Sequence, residues 1–223
     1  MTIRRLVMLR HGQTEYNAGS RMQGQLDTEL SELGRDQAVA AAQSLAKREP
    51  LLIVSSDLRR ALDTAVALGD RCGLPVNIDT RLRETHLGDW QGMTHLEVDA
   101  AAPGARLAWR EDARWAPHGG ESRVDVAGRG VPLVRELVDQ QADWGLDDRP
   151  VVLVAHGGLI AALTAALLGL PVDNWPALGG MGNASWVQLA GHTRAGGAAE
   201  SFDDVHWRLD VWNASAQVAG DVL

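Results

Sequence analysis

Two stretches of the 223-residue chain set a histidine before glycine, each straight after a short apolar run. Leu6-Val-Met-Leu9 leads into Arg10-His11-Gly12-Gln13-Thr14, and Val151-Val-Leu-Val154 leads into Ala155-His156-Gly157-Gly158. A third run, Leu51 to Val54, passes through Ser55-Ser-Asp57 to Arg59-Arg60. Arginine grips phosphate or carboxylate with paired N–H groups and stays charged. A neutral histidine is a nucleophile near pH 7, and a protonated one donates to an oxyanion. Backbone N–H groups at Gly157-Gly158, where a helix would open, add donors for an anion. Together these types describe a phosphoryl pocket with a histidine nucleophile. The cations that phosphoryl transfer needs are side chains, so no cofactor and no metal is expected.

Singly, each residue has a bland reading: a histidine after a strand is commonly structural, and Arg59 or Arg60 can be a solvated helix face. What unites them is the element pattern. Leu6–Leu9, Leu51–Val54 and Val151–Val154 read as strands buried on both faces, with Val76-Asn-Ile-Asp79 as another. Ser31 opens a helix carrying Ala38, Ala41, Ala42 and Leu45, which Glu49-Pro50 stops. Ser55-Ser-Asp57 can cap a second helix, with Leu58, Ala61, Leu62 and Ala65 on one face, ending near Gly73. A third is predicted from Val124 to Trp144, weakened by Gly128, Gly130 and Pro132, and a fourth from Leu159 to Leu168. Two late strands, Ser185–Leu189 and Val205–Trp212, flank a flexible stretch from Gly191 to Glu200; the last alternates, so one face is wet. Strands interleaved with helices imply an α/β fold, a three-layer α/β/α sandwich around a mostly parallel central sheet. Ligands of such sheets lie beyond the strands' carboxyl ends, where both His-Gly turns fall.

Length and composition fit one domain over residues 1–223. Residues 85–122 hold no clean period, contain Trp90, Trp109 and Trp115, and read as an excursion with a helix near Ala105–Arg114. A net charge of −8 argues against nucleic-acid or anionic-membrane partners. The single cysteine, Cys72, excludes a disulfide framework within the chain. No run reaches the ~18 apolar residues of a membrane span, and the four apolar residues after Arg5 fall short of a signal peptide's ~7–15. The expected location is the cytoplasm, where the sequons at Asn183 and Asn213 are chance. No HExxH, Walker A or complete dinucleotide-binding glycine pattern occurs. Arg106, Arg110 and Arg114 recur at every fourth position: either a solvated helix face, or a stripe over the pocket that attracts an anionic substrate.

At this point the chain resembles the histidine phosphatase (phosphoglycerate mutase-like) superfamily over nearly its whole length. Leu9-Arg-His-Gly-Gln-Thr14 with Asn17 resembles the nucleophile motif, and Ser56 to Ala65 the second arginine motif, aligning Arg60. Leu82-Arg-Glu84 with Gly88-Asp-Trp-Gln-Gly92 is similar to the general-acid segment. His118-Gly-Gly-Glu-Ser122 resembles the Gly-Glu-Ser element, and Val154-Ala-His-Gly157 the second histidine motif. The resemblance implies that His11 attacks phosphorus through Nε2. Arg10, Arg60 and His156 would hold the phosphoryl oxygens, helped by Asn17 and the Gly157 N–H. Glu84 would protonate the leaving oxygen and then take a proton from water; Glu15 and Asp57 are the competing acids. Trp90-Gln-Gly92, and the lack of an adjacent arginine pair after the acid, resemble phosphatases more than mutases. Further matched stretches, Ser20–Ser31, Arg83–Gly92 and Trp175–Ser185, imply a phosphorylated sugar acid as substrate. Gln23, Trp115 and His118 are the candidate sugar contacts, with residues 85–122 as part of a lid. A homodimer is expected on the same ground, through the C-terminal strand around Leu209. The alternatives are a phosphoglycerate mutase, a broad-specificity phosphatase, or a phospho-ligand binder without catalysis.

Overall fold

Every apolar run read as a strand is one in the computed structural model, which describes residues 2–193 and 201–216. The strands are β1 (Ile3–Arg10), β2 (Leu52–Ser55), β3 (Val76–Ile78), β4 (Val151–Ala155), β5 (Trp186–Thr193) and β6 (Val205–Ala214). The α-helices are α1 (Glu15–Ala18), α2 (Glu32–Ala46), α3 (Arg59–Cys72), α4 (His95–Ala101), α5 (Ala105–Glu111), α6 (Arg123–Gln140) and α7 (Gly157–Leu167). They build one six-stranded sheet in the order β3-β2-β4-β1-β5-β6. β3, β2, β4 and β1 are parallel, and β5 runs against both of its neighbours. The sheet is therefore mostly parallel.

Alternation along the central strands makes the three layers. Val7, Leu9, Ile53, Val152 and Val154 pack with Ala41, Ala42 and Leu45 of α2 and Ala61, Ala65 and Leu68 of α3. Leu6, Met8, Val151 and Leu153 pack with Val134 and Leu137 of α6 and Leu159 and Leu163 of α7. Both faces are covered, so β1 and β4 read as unbroken apolar runs.

Four local expectations change. α6 runs unbroken through Pro132. A proline ring strikes the carbonyl four residues back, which here belongs to Gly128; a Cβ on Gly130 would touch Leu163 of α7 at 3.4 Å, while one on Gly128 would meet open space. α3 is capped from a distance rather than by Ser55-Ser-Asp57: Asp27 Oδ1 accepts the Arg59 N–H at 2.7 Å, while Asp57 pairs with Arg83. β5 continues through Thr193 because Gly191 lies in the ladder opposite Trp207, where no side chain would fit. The rest of the expected flexible stretch, 194–200, lies outside the described residues. The 85–122 excursion holds two short helices, α4 and α5, around its own small core of Met22, Leu87, Trp90 and Val98. Its segment is tied to the 20–26 loop by Met22 N–H to Met93 O (2.9 Å) and Gly92 N–H to Met22 O (2.7 Å).

The loop after β1 lies backbone against backbone on the start of α2. A Cβ on Gly34 would sit 1.9 Å from Gln13 O, and one on Gly12 would sit 2.2 Å from Gly34 O. Gly34→Ala should cost about 1–3 kcal/mol through overpacking. The measurement is the urea midpoint at constant m-value, and an unchanged midpoint would contradict this contact.

Candidate active site

Strand register brings the two His-Gly turns together. Arg10 pairs with Ala155 across β1 and β4, and Ser55 with Val154 across β2 and β4, so His11, His156 and Ser56 leave the sheet side by side. The ring centroids of His11 and His156 are 5.2 Å apart.

The hydrogen bonds of His11 settle its tautomer. Nδ1 lies 2.6 Å from Gly12 O, a carbonyl that can only accept, so Nδ1 carries the proton. Arg60 Nε donates to Nε2 at 3.3 Å, so Nε2 presents its lone pair. Burial holds the pKa of His11 well below the ordinary histidine value, with Arg10 and Arg60 adding to the effect and the Gly12 bond opposing it. The ring is thus neutral and nucleophilic at physiological pH. His156 is likewise held neutral, first by burial and then by Arg60, His11 and Arg10.

Arg60 is buried and Arg10 half-buried, and neither has a carboxylate in ion-pair contact among the described residues. Arg60 donates from Nη1 to Leu26 O (2.7 Å) and from Nη2 to Gly24 O (2.8 Å). Burial lowers its pKa to about 10 against the opposing field of Glu84 and Asp27, so it remains a cation. Arg10 donates from Nη1 to Met181 O, while its buried Nε has no partner.

Glu84 occupies the N-terminus of α7. Its Oε1 accepts from Thr85 N–H (2.7 Å) and Leu159 N–H (3.2 Å), and its Oε2 from Gly158 N–H (3.1 Å). The Gly158 donor expected to meet the substrate is therefore taken by the acid. Gly157 sits beside Arg10 Nε, the approach a Cβ would make at 3.5 Å. The competing acids are elsewhere: Asp57 is paired with Arg83, and Glu15 is exposed in α1.

A cavity of about 160 Å³ opens above His11, lined by Arg10, Asn17, Arg21, Gln23, Arg60, Glu84 and Trp109 among others. Gln23 Oε1 accepts from Thr14 and Thr28 hydroxyls at 3.0 and 2.7 Å, so its NH₂ is the donor left for a ligand. Asn17 Oδ1 accepts from Asn183 Nδ2 at 3.1 Å. Trp115 and His118 are not among the lining residues. Trp115 stacks on Trp90 with centroids 5.4 Å apart, and His118 stands in solvent with Nδ1 2.9 Å from Asp89. The arginine stripe is also dispersed. α5 ends at Glu111, Arg106 pairs with Asp99, Arg114 pairs with Asp173, and none of the three lines the cavity.

Sequence reasoning missed Arg21, Trp109, Asn183 and the pair Arg129–Glu121. Arg129 Nε meets Glu121 Oε1 at 2.9 Å, and its Nη2 donates to Glu84 O at 2.8 Å, holding the acid's backbone. The signal available was the Gly-Glu-Ser element, which named Glu121 without its partner.

The model of the histidine phosphatase superfamily (branch 1) matches residues 6–214. The chain belongs to the histidine phosphatase superfamily. Over the full length of both chains, this superfamily member is 86% identical to glucosyl-3-phosphoglycerate phosphatase of Mycolicibacterium vanbaalenii and 76% identical to that of Mycobacterium tuberculosis. A solved structure of a mycobacterial glucosyl-3-phosphoglycerate phosphatase with inorganic phosphate superposes with a TM-score of 0.89 at 74% identity, over 97% of this chain and 100% of that one.

One glycine of the histidine phosphatase site makes room for the Glu84 carboxylate. A Cβ on Gly158 would stand 2.5 Å from Glu84 Oε1 and 2.7 Å from Thr85 Oγ1. Gly158→Ala should displace the carboxylate and lower kcat by about 10²-fold or more, the scale of general acid–base catalysis. Steady-state kinetics at matched folded fraction checks this, and an unchanged kcat would count against Glu84.

Proposed function

We propose that the chain hydrolyses glucosyl-3-phosphoglycerate to glucosylglycerate and inorganic phosphate through a phosphohistidine, a step towards methylglucose lipopolysaccharides. The observation that carries the chemistry is the neutral His11, its Nε2 lone pair facing the Arg60 Nε–H at 3.3 Å, between two guanidiniums that have no carboxylate in ion-pair contact among the described residues. The full-length identity to phosphatases of that substrate carries the specificity.

In the first half-reaction His11 Nε2 attacks phosphorus and the P–O ester bond breaks. Arg10, Arg60, His156 and Asn17 hold the phosphoryl oxygens, and Glu84 gives its proton to the leaving alkoxide. In the second, Glu84 takes a proton from water as the oxygen attacks phosphorus and the P–N bond breaks, releasing phosphate and restoring neutral His11. Uncatalysed monoester hydrolysis is among the slowest reactions known, so clamp and acid must both contribute heavily.

The substrate's carboxylate and sugar lie outward from its phosphate. Arg21 and Trp109 face that part of the cavity in this reading, with the Gln23 amide nearer the phosphate, and residues 85–122 form part of a lid within one domain. No helix among the described residues is long and apolar enough to cross a membrane. A cytoplasmic location belongs to the same proposal, as does a homodimer joined through the sheet-edge strand β6 around Leu209. No observation favours the mutase: of the three arginines that could have held a second phosphorylated acid, Arg106 and Arg114 are paired with Asp99 and Asp173, and none of the three lines the pocket.

The test is phosphate release in EDTA from glucosyl-3-phosphoglycerate and 3-phosphoglycerate side by side, with wild-type and His11→Ala protein. Release from the glucosyl compound that is metal-independent and lost in His11→Ala is expected. Equal release from both compounds would discard the named substrate, and activity restored only by magnesium would discard the pocket chemistry.

A further inference from the structure

Ser56 has no part in the scheme above, yet among the described residues it is the one side chain bonded to the second histidine. Its Oγ lies 3.0 Å from His156 Nε2, and both residues are fully buried, with 0% exposure. The same oxygen accepts the Leu58 N–H at 3.3 Å. A serine hydroxyl has one proton to give and, sealed from water, must give it to an acceptor. Among the described residues the acceptor within reach is His156 Nε2. The opposite arrangement, with Nε2–H donating, would leave the hydroxyl proton buried without a partner, at a desolvation cost.

From this geometry we infer that Ser56 is a positioning residue that fixes the tautomer of His156, placing its proton on Nδ1. The inference rests on the phosphohistidine reading for its purpose. The two nitrogens of a neutral imidazole differ, and the bond made by one decides which carries the proton. His156 Nδ1 is buried and has no partner. With Nε2 held by Ser56, Nδ1 is the nitrogen left to meet a phosphoryl oxygen. That oxygen accepts hydrogen bonds, so Nδ1–H attracts it, whereas a bare Nδ1 lone pair would repel it. Burial beside Arg60 and Arg10 keeps the ring neutral, so it has a single proton and the question of where it sits matters. The chain order is economical: the residue after β2 orients the residue after β4, its immediate neighbour in the sheet.

The ¹⁵N–¹H correlation spectrum of histidine-labelled protein reads the tautomer directly, with the signals of His156 identified by their loss in His156→Ala. In the free wild-type enzyme Nδ1 should be protonated and pyrrole-like, and Nε2 bare and pyridine-like. Ser56→Ala should shift or average this pattern and lower kcat/KM about tenfold, the scale of one hydrogen bond. Ser56→Thr, which keeps the hydroxyl, should restore both. A protonated Nε2 in the wild type would overturn the inference, and that reading does not depend on Ser56→Ala folding. An unchanged pattern in folded Ser56→Ala would overturn it too. The tautomer is read without turnover, so failure of the parent reading, seen as full activity in His156→Ala, is told apart from failure of this one.

Discussion

Two guanidiniums, that of buried Arg60 and that of half-buried Arg10, stand beside two neutral histidines, with backbone carbonyls and a histidine nitrogen as their bonded partners. Carbonyls satisfy N–H groups without cancelling the charge. Burying a charge costs several kcal/mol unless an opposite charge answers it. The protein carries that cost in its folded state, so a phosphoryl dianion meets cations that are already desolvated and oriented. Burial is the first cause of the neutral histidines and the same field adds to it, since a proton on either ring would add a third positive charge. Nucleophile and clamp are one electrostatic arrangement, and the chain's overall negative charge does not disturb it at this depth.

The rest of the fold can be understood as what keeps that arrangement in place. Parallel pairing of β1 with β4 and of β4 with β2 sets His11, His156 and Ser56 in a row. The 20–26 loop lends its carbonyls to Arg60, and Asp27 caps the helix on which Arg60 sits. Glu84 is fixed from two sides: three backbone N–H groups bind its carboxylate, and Arg129 and Gln25 bind its carbonyl. Asn183 links the loop before β5 to Asn17. Apart from the Thr85 bond to its neighbour Glu84, each contact joins segments far apart in sequence, so site geometry and global stability are coupled.

This division explains what was legible in the sequence. The strands were legible because a doubly covered strand needs four or more apolar residues in a row, and Leu6–Leu9 and Val151–Val154 supply them. Their carboxyl ends then pointed to His11 and His156, and the family motifs added Glu84 and Arg60. Arg129 was not legible, since an arginine on a helix looks the same whether it meets water or holds a carbonyl 45 residues away. Trp109 and Trp115 could not be told apart either. Both lie in an aperiodic segment, and only the small core around Trp90 decides that one lines the cavity while the other stacks behind. The cap of α3 failed for the same reason, its carboxylate arriving from Asp27 rather than from the residues before the helix.

The central claim is that a covalent bond forms at His11 Nε2, and it can be tested where the acid is not needed for the first step. Glu84→Gln protein mixed with p-nitrophenyl phosphate, whose leaving group departs unprotonated, should release one equivalent of nitrophenolate in a burst and then stall. Phosphorus–nitrogen coupling in ¹⁵N-histidine-labelled protein should place the phosphoryl group on Nε2 of His11. Steady turnover with no phosphorylated histidine, or a phosphoryl group found on His156 or on Nδ1, would contradict the account.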